Sequence, residues 1–141
     1  MMKIRKLMVK DVITMPLDAS VYEATKTMNK KRIGCVVVAY NGGIVGILTE
    51  RDLLERVLEE CKDPKETKIS DVMTRKVIVG DPDMELVEAT RLMFDNQVKK
   101  LPVVEGNQLL GLVTLTDIAR ATSVDQDTLE LVEKLSNMHR I

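Results

Sequence analysis

The chain has 141 residues, of which 45% are hydrophobic and 30% are charged, enough for one compact domain with its own core. The 21 basic and 22 acidic residues leave a formal net charge of −1, which excludes a general electrostatic attraction to nucleic acid or anionic lipid. With no tryptophan, one phenylalanine and two tyrosines, a surface that stacks single-stranded nucleic acid is also disfavoured.

The sequence shows no sign of export, membrane insertion or metal binding. No apolar run reaches the length of a membrane span, and the N-terminus lacks the apolar segment of a secretory signal. Cys35 and Cys61 do not have metal-site spacing, and the single histidine is His139, near the C-terminus. We therefore expect a cytoplasmic protein in a reducing compartment, with no metal centre and no catalytic group, and not an enzyme.

The predicted elements begin with a short strand at residues 12–14 and a helix from residue 21. Ser20 and Glu23 have the spacing of a capping box at the start of that helix. Two strands follow, "CVVVAY" and "GIVGILT", joined by an Asn-Gly hairpin signal at residues 41–43. A second helix begins near Glu50, because "ERDLLERVLEECK" places its leucines and valine on one face.

The same order of elements returns 65 positions later. A gapless alignment of residues 4–58 with 69–123 contains 13 identical pairs among 55 positions, which identifies an internal repeat. The second copy has a predicted strand at 77–79, a helix from residue 86, strands at 101–105 and 109–114, and a helix near Leu115. We expect repeats at 4–60 and 69–125, a polar linker at 61–68 and a terminal helix at 126–141.

The predicted fold class is α+β, with two β-α-β-β-α repeats related by pseudo-two-fold symmetry and packed through their sheets. A copy of about 60 residues buries too little surface to be comfortable alone, so the two copies are expected to depend on each other.

One phrase is written twice, as Gly, two apolar residues, Thr, two free positions and Asp. It occupies residues 46–52 and 111–117. Its first interpretation is structural, because Thr and an acid three residues later can cap a helix. Its second is functional, because Gly permits close approach, and a hydroxyl and carboxylate at a helix start suit a sugar phosphate. The spacing alone leaves both open.

With these phrases, and "LPVV" in the second copy, the chain resembles the CBS domain pair, the regulatory module named after cystathionine β-synthase. The resemblance implies a stand-alone module that binds AMP, ADP, ATP or S-adenosylmethionine in clefts between the repeats. It implies that each cleft takes a ribose-binding Asp from one copy and adenine contacts from the other. One implied site comprises Thr49, Arg51, Asp52, Lys76, Val77, Val98 and Lys99. The other comprises Thr114, Thr116, Asp117, Val12, Ile13, Ile33 and Gly34.

The basic residues bear on which nucleotide is expected. Lys99 and Lys100 stand where energy-sensing members of the family carry basic or histidine residues near phosphate, whereas the first copy has Gly34 and Cys35 there. The resemblance therefore favours a di- or triphosphate at the Asp52 site, with Mg²⁺ as a candidate companion. The alternative is that these lysines are solvated surface residues.

The function that the resemblance implies is ligand sensing, with a conformational change that an unidentified protein partner reads. The alternative is a protein-interaction module whose nucleotide clefts are vestigial. A homodimer is also implied, as a disk of four repeats in contact through helix faces at residues 53–58 and 118–121. Neither a membrane nor a nucleic acid is expected as a partner.

Overall fold

The computed structural model describes residues 2–121 and 126–138 of the chain. The described residues form two compact units. Residues 12–77 make up the first, here called the continuous unit. The second, the composite unit, combines the described residues within 1–11 and 78–141. The leading segment of each sequence repeat therefore belongs to the unit built mainly from the other repeat.

The continuous unit is a three-stranded sheet with its helices. Strand β1 runs parallel to β2, and β2 pairs antiparallel with β3. Its helix α2 continues as a π-helical turn over Leu54–Leu58. The other elements are β1 (Thr14–Pro16), α1 (Val21–Lys31), β2 (Cys35–Tyr40), β3 (Gly43–Thr49), α2 (Glu50–Leu53) and α3 (Ile69–Val72).

The composite unit is built around an antiparallel hairpin of β4 and β5. Helix α6 packs against α4 and α5, and its Leu131, Val132 and Leu135 are buried. The predicted terminal helix is therefore present, although residues 139–141, including His139, lie outside the described residues. The elements are a 3-10 helix (Ile4–Lys6), α4 (Leu86–Asn96), β4 (Lys100–Glu105), β5 (Gln108–Thr114), α5 (Leu115–Ala119) and α6 (Gln126–Met138).

The predicted hairpins and main helices are confirmed in both copies. Asn41 and Gly42 both adopt positive φ, as the hairpin signal predicted. Ser20 caps α1 by accepting a hydrogen bond from the backbone N–H of Glu23. The two short helices, Ile4–Lys6 and Ile69–Val72, were not predicted, because one turn is too short to show a helical period.

The first strand of each copy was predicted wrongly. In the continuous unit β1 begins two residues later than predicted, although the carbonyl of Ile13 already accepts from the N–H of Val37. In the second copy residues 77–79 form no strand, and only Gly80 bridges Val103. The position equivalent to Val37 is Pro102, which has no N–H to donate, so the parallel ladder is reduced to one bridge.

The predicted linker at 61–68 is an ordered part of the continuous unit. The carbonyl oxygens of Thr67 and Pro64 accept from the first two amides of α1, those of Val21 and Tyr22, at 2.8 and 3.0 Å. Helix N-termini leave such amides without partners inside the helix. The segment therefore helps to close the start of α1 in addition to joining the repeats.

The glycine of each repeated phrase lies where another segment crosses close to the strand. A Cβ at Gly111 would lie 2.8 Å from the carbonyl oxygen of Val9 and 2.8 Å from the sulfur of Met8. A Cβ at Gly46 would lie 3.0 Å from the carbonyl oxygen of Thr74. Both glycines are therefore required by packing within their own units.

We predict that Gly111→Ala lowers the free energy of unfolding by about 1–3 kcal/mol, since the added methyl group meets backbone that cannot rotate away. Gly43→Ala is the matched control in a hairpin strand, because its nearest neighbour would be 3.8 Å away. The control should change stability by less than about 0.5 kcal/mol in urea unfolding. Equal effects of the two substitutions would contradict the steric explanation.

Candidate functional site

The Thr-x-x-Asp part of each phrase forms a complete capping box at the start of a helix. Oδ2 of Asp52 accepts from the backbone N–H of Thr49 at 2.9 Å, and Thr49 Oγ1 accepts from the N–H of Asp52 at 3.3 Å. In the other copy the corresponding distances are 2.9 and 3.2 Å for Thr114 and Asp117. The structural interpretation of the phrase is thus realised twice, and each Asp has one further carboxylate oxygen.

The second oxygen of Asp52 is also engaged within the continuous unit. Its Oδ1 accepts from the hydroxyl of Thr74 at 3.0 Å, and Arg56 Nε lies 3.9 Å away. Arg56 in turn donates to the carbonyl oxygens of Val72 and Met73. Asp52 is only 4% exposed. This carboxylate therefore ties the start of α2 to the end of α3.

Asp117 has no such network among the residues that the structure describes. The positions equivalent to Thr74 and Arg56 are Val9 and Ala121, whose side chains carry no donor. Among the described residues, Oδ1 of Asp117 accepts no hydrogen bond, whereas its Oδ2 is held by Thr114. Asp117 is also partly exposed. Within the described part of the chain, the composite unit thus presents a fixed carboxylate with one oxygen that accepts no hydrogen bond.

The residue before each hairpin strand joins the same helix start. The carbonyl oxygen of Gly34 accepts from Glu50 N at 3.1 Å, and that of Lys99 accepts from Leu115 N at 3.0 Å. The continuous unit therefore brings Gly34 to the start of α2, and the composite unit brings Lys99 to the start of α5. Lys99 and Asp117, which were predicted in different sites, share one helix start.

The remaining predicted residues divide between the two units. Arg51 is exposed and pairs with Glu55 at 3.6 Å, a surface ion pair of small energetic value. Thr116 and Lys76 are exposed, and the other predicted residues are half-buried. Each implied site draws on both units, so its assembly stays a prediction. The further predicted residues of the continuous unit are Val12, Ile13, Ile33 and Val77, and those of the composite unit are Val98 and Lys100.

Sequence reasoning missed Thr74 and Arg56. The signal was present in the alignment of the two copies, where a hydroxyl stands against a valine and a guanidinium against an alanine. This difference between the copies could be interpreted only from the structure, in which the Thr74 hydroxyl donates to Asp52.

Within residues 2–121 and 126–138, no cluster of three or more His, Cys, Asp or Glu side chains could hold a metal ion. Over the same ranges, no helix has the length and apolar character that crossing a bilayer requires.

Both copies of the repeat match the same known family. A family model of the CBS domain matches residues 4–59 and again 69–124. The chain belongs to the CBS-domain family. Its fold class, a tandem pair of α+β CBS repeats, is thereby confirmed.

Relatives and a solved structure show the same assignment. CBS domain-containing protein YhcV of Bacillus subtilis is 33% identical over 119 residues, which cover 84% of this chain and 84% of YhcV. CBSX3 of Arabidopsis thaliana, a mitochondrial CBS domain-containing protein, is 35% identical over 109 residues, 74% of this chain but 53% of CBSX3. The CBS domain protein TA0289 of Thermoplasma acidophilum superposes with a TM-score of 0.84 at 25% identity, over 97% of this chain and 77% of that one. CBS-domain pairs in general are regulatory modules that bind adenosine-containing ligands.

Proposed function

We propose that this chain is a non-catalytic sensor of an adenosine-containing ligand and that Asp117 accepts a hydrogen bond from the ribose. The observation that supports the proposal is that Oδ1 of Asp117 accepts no hydrogen bond from the described residues, whereas both carboxylate oxygens of Asp52 are engaged. Both aspartates were predicted as ribose ligands. Of the two, Asp117 has the acceptor atom that a ribose hydroxyl needs.

The geometry of the composite unit suits this role. Oδ2 of Asp117 accepts from both the backbone N–H and the hydroxyl of Thr114, each at 2.9 Å, so the carboxylate is held in one orientation. A held acceptor loses little side-chain entropy when it binds a hydroxyl, and a charged acceptor forms the stronger kind of hydrogen bond.

Whether the preferred ligand carries phosphate groups is expected to depend on the lysines of the same unit. The backbone carbonyl oxygen of Lys99 accepts from the start of α5, and Lys100, the first residue of β4, pairs with Thr114 of β5. The continuous unit has Gly34 and Cys35 at those positions. We therefore propose an anionic adenine nucleotide in preference to S-adenosylmethionine, with signalling to a protein partner as the family's general role implies.

Isothermal titration with AMP, ATP with and without Mg²⁺, and S-adenosylmethionine tests the proposal. Asp117→Asn keeps a carbonyl oxygen for the Thr114 cap and replaces the free oxygen by an amide. Loss of one charged hydrogen bond of about 1.5–3 kcal/mol predicts about 10- to 100-fold weaker binding. The matched variant Asp52→Asn should retain the affinity of the unmodified chain.

A 2′-deoxy or 3′-deoxy nucleotide separates ribose recognition from general damage. If Asp117 binds one ribose hydroxyl, Asp117→Asn should reduce the affinity for the parent nucleotide. It should reduce the affinity for the analogue that lacks that hydroxyl much less. Equal weakening of every ligand would argue against the ribose contact. If none of the ligands binds the native chain, both phrases serve only as capping boxes. That result would favour the alternative of a protein-interaction module with vestigial nucleotide clefts.

A further inference from the structure

The glycine of each repeated phrase is covered by an equivalent methionine. A Cβ at Gly111 would lie 2.8 Å from the sulfur of Met8 and 2.9 Å from its Cγ. Gly46 has the same arrangement with Met73, whose Cγ would lie 3.0 Å from the added Cβ. Each methionine side chain therefore occupies the space that a side chain at the glycine would need, directly against the backbone of the strand.

The two methionines differ in their access to solvent. Met73 is 3% exposed and belongs to the buried core of the continuous unit. Met8 is only partly buried and packs against the core of the composite unit. Its neighbour Val9 is 49% exposed. A peroxide in solution can therefore reach the Met8 side chain more readily than that of Met73.

In the continuous unit, side chains fasten the segment that carries Met73. The hydroxyl of Thr74 donates to Asp52 at 3.0 Å, and the guanidinium of Arg56 donates to the carbonyl oxygen of Met73 at 2.9 Å. Thr74 and Ile47 also exchange two backbone hydrogen bonds of 2.9 Å. Displacement of Met73 would therefore break side-chain bonds in addition to backbone bonds.

In the composite unit, the segment that carries Met8 has no equivalent side-chain bonds among the described residues. The residues at the corresponding positions, Val9 and Ala121, have no side-chain donor. Val9 is joined to Leu112 of β5 by two backbone hydrogen bonds of 2.9 Å. The methionine that solvent can reach therefore belongs to the segment with fewer attachments.

We propose that Met8 is a site of oxidation by peroxides and that its sulfoxide releases residues 8 and 9 from β5. Hydrogen peroxide transfers one oxygen atom to the sulfur, which loses two electrons, and the peroxide is reduced to water. The product places a polar sulfoxide where an apolar thioether packed against the strand, and burial of a polar group without a partner costs free energy. Movement of the side chain into solvent removes that cost and separates Val9 from Leu112.

The release is expected to stop short of the other end of the leading segment. Ile4 is completely buried, and its N–H donates to the carbonyl oxygen of Met84 at 3.0 Å. The N–H of Leu86 donates to the carbonyl oxygen of Met2 at 2.9 Å. These contacts lie away from the oxidised end of the segment, so residues 2–5 should stay attached.

Peptide mass spectrometry after treatment with hydrogen peroxide tests the site of oxidation. Met8 should be oxidised in the folded chain under conditions that leave Met73 intact. The experiment uses Cys61→Ser, because Cys61 is an exposed thiol that peroxide also oxidises. Equal oxidation of the two methionines, or a Met8 that does not react in the folded chain, would overturn the proposal.

Amide hydrogen exchange of the oxidised chain tests the release. The amides of Val9 and Leu112 should exchange at least about tenfold faster, equivalent to about 1.4 kcal/mol, whereas the amide of Ile4 should keep its rate. Methionine sulfoxide reductases with dithiothreitol remove the oxygen as water while the dithiol becomes a disulfide, and this treatment should restore slow exchange. Unchanged exchange at Val9 in a chain oxidised at Met8 would contradict the release.

Met8→Leu assigns the effect to one sulfur, because leucine has a similar volume and cannot be oxidised in this way. Peroxide should leave the exchange of Val9 unchanged in this variant. Met84→Leu is the matched control in the same unit and should respond as the native sequence does. Faster exchange in peroxide-treated Met8→Leu would assign the effect to another methionine and overturn the proposal. Four other methionines are also partly exposed, namely Met2, Met15, Met84 and Met138.

The consequence for ligand binding rests on the proposed function, whereas the oxidation of Met8 does not. β5 ends at Thr114, two residues after Leu112, so a loss of pairing reaches the strand that leads into the capping box of Asp117. Calorimetric titration should find weaker nucleotide binding after oxidation of the native sequence and unchanged binding in peroxide-treated Met8→Leu. If the unoxidised chain binds no nucleotide, the proposed function fails, and the exchange measurement still decides the proposal for Met8.

Discussion

Replacing Val9 by threonine is expected to weaken the binding of the adenosine ligand by at least about tenfold, the equivalent of 1.4 kcal/mol. Val9 pairs with Leu112 through two backbone hydrogen bonds of 2.9 Å, as Thr74 pairs with Ile47. A hydroxyl at position 9 therefore takes the place that the Thr74 hydroxyl has in the other unit, and Oδ1 of Asp117 becomes its acceptor. The ligand would then compete with an internal hydrogen bond.

The reverse exchange, Thr74→Val, is the matched control for this experiment. It alters the same pair of atoms in the continuous unit and leaves Asp117 untouched, so titration calorimetry should find the native affinity. Because Val9 is 49% exposed, the threonine should also be accepted without loss of thermal stability. If Val9→Thr binds the ligand with native affinity, Asp117 Oδ1 is not part of the ligand site.

The largest loss of stability is expected from Asp52→Ala. The substitution removes the cap of α2, worth about 0.5–2 kcal/mol, and the charged acceptor of Thr74, worth about 1.5–3 kcal/mol. These contributions share one side chain and are not fully additive, so we expect a loss of about 2–4 kcal/mol. Arg56 would keep its two carbonyl contacts and lose its nearby carboxylate.

Asp117→Ala provides the comparison, because it removes a capping box of the same design without the second contact. Its cost should be about 0.5–2 kcal/mol, the value of the cap alone. Urea unfolding of both variants, with the slope of the transition compared, measures the difference. If the two substitutions cost the same, the bond from Thr74 to Asp52 contributes nothing to stability.

The elements that local pattern determines could be predicted from the sequence. The hairpin turns follow from residues that tolerate positive φ, and the main helices follow from periodicity. The repeat itself indicated the family. The helix starts were also foreseen, because Thr and Asp at that spacing are cap residues.

The differences between the copies depend on contacts distant in sequence. Pro102 has no backbone N–H to donate. The missing donor matters only because it would face the carbonyl oxygen of the opposing strand. Likewise, the distinction between Asp52 and Asp117 depends on Thr74, which no motif marks. The glycines were interpreted as marking close approach by another backbone or by a ligand, and in each unit a neighbouring backbone segment makes that approach.

The composite unit joins the two ends of the described chain, and this bears on the order of folding. The Ile47–Thr74 contact closes a short loop within a continuous stretch, whereas the Val9–Leu112 contact closes a loop that spans most of the chain. Loop closure costs more entropy as the loop lengthens, and contacts of high sequence separation slow folding. During synthesis residues 12–77 can therefore assemble first, while the leading segment waits for a hairpin that has not yet left the ribosome.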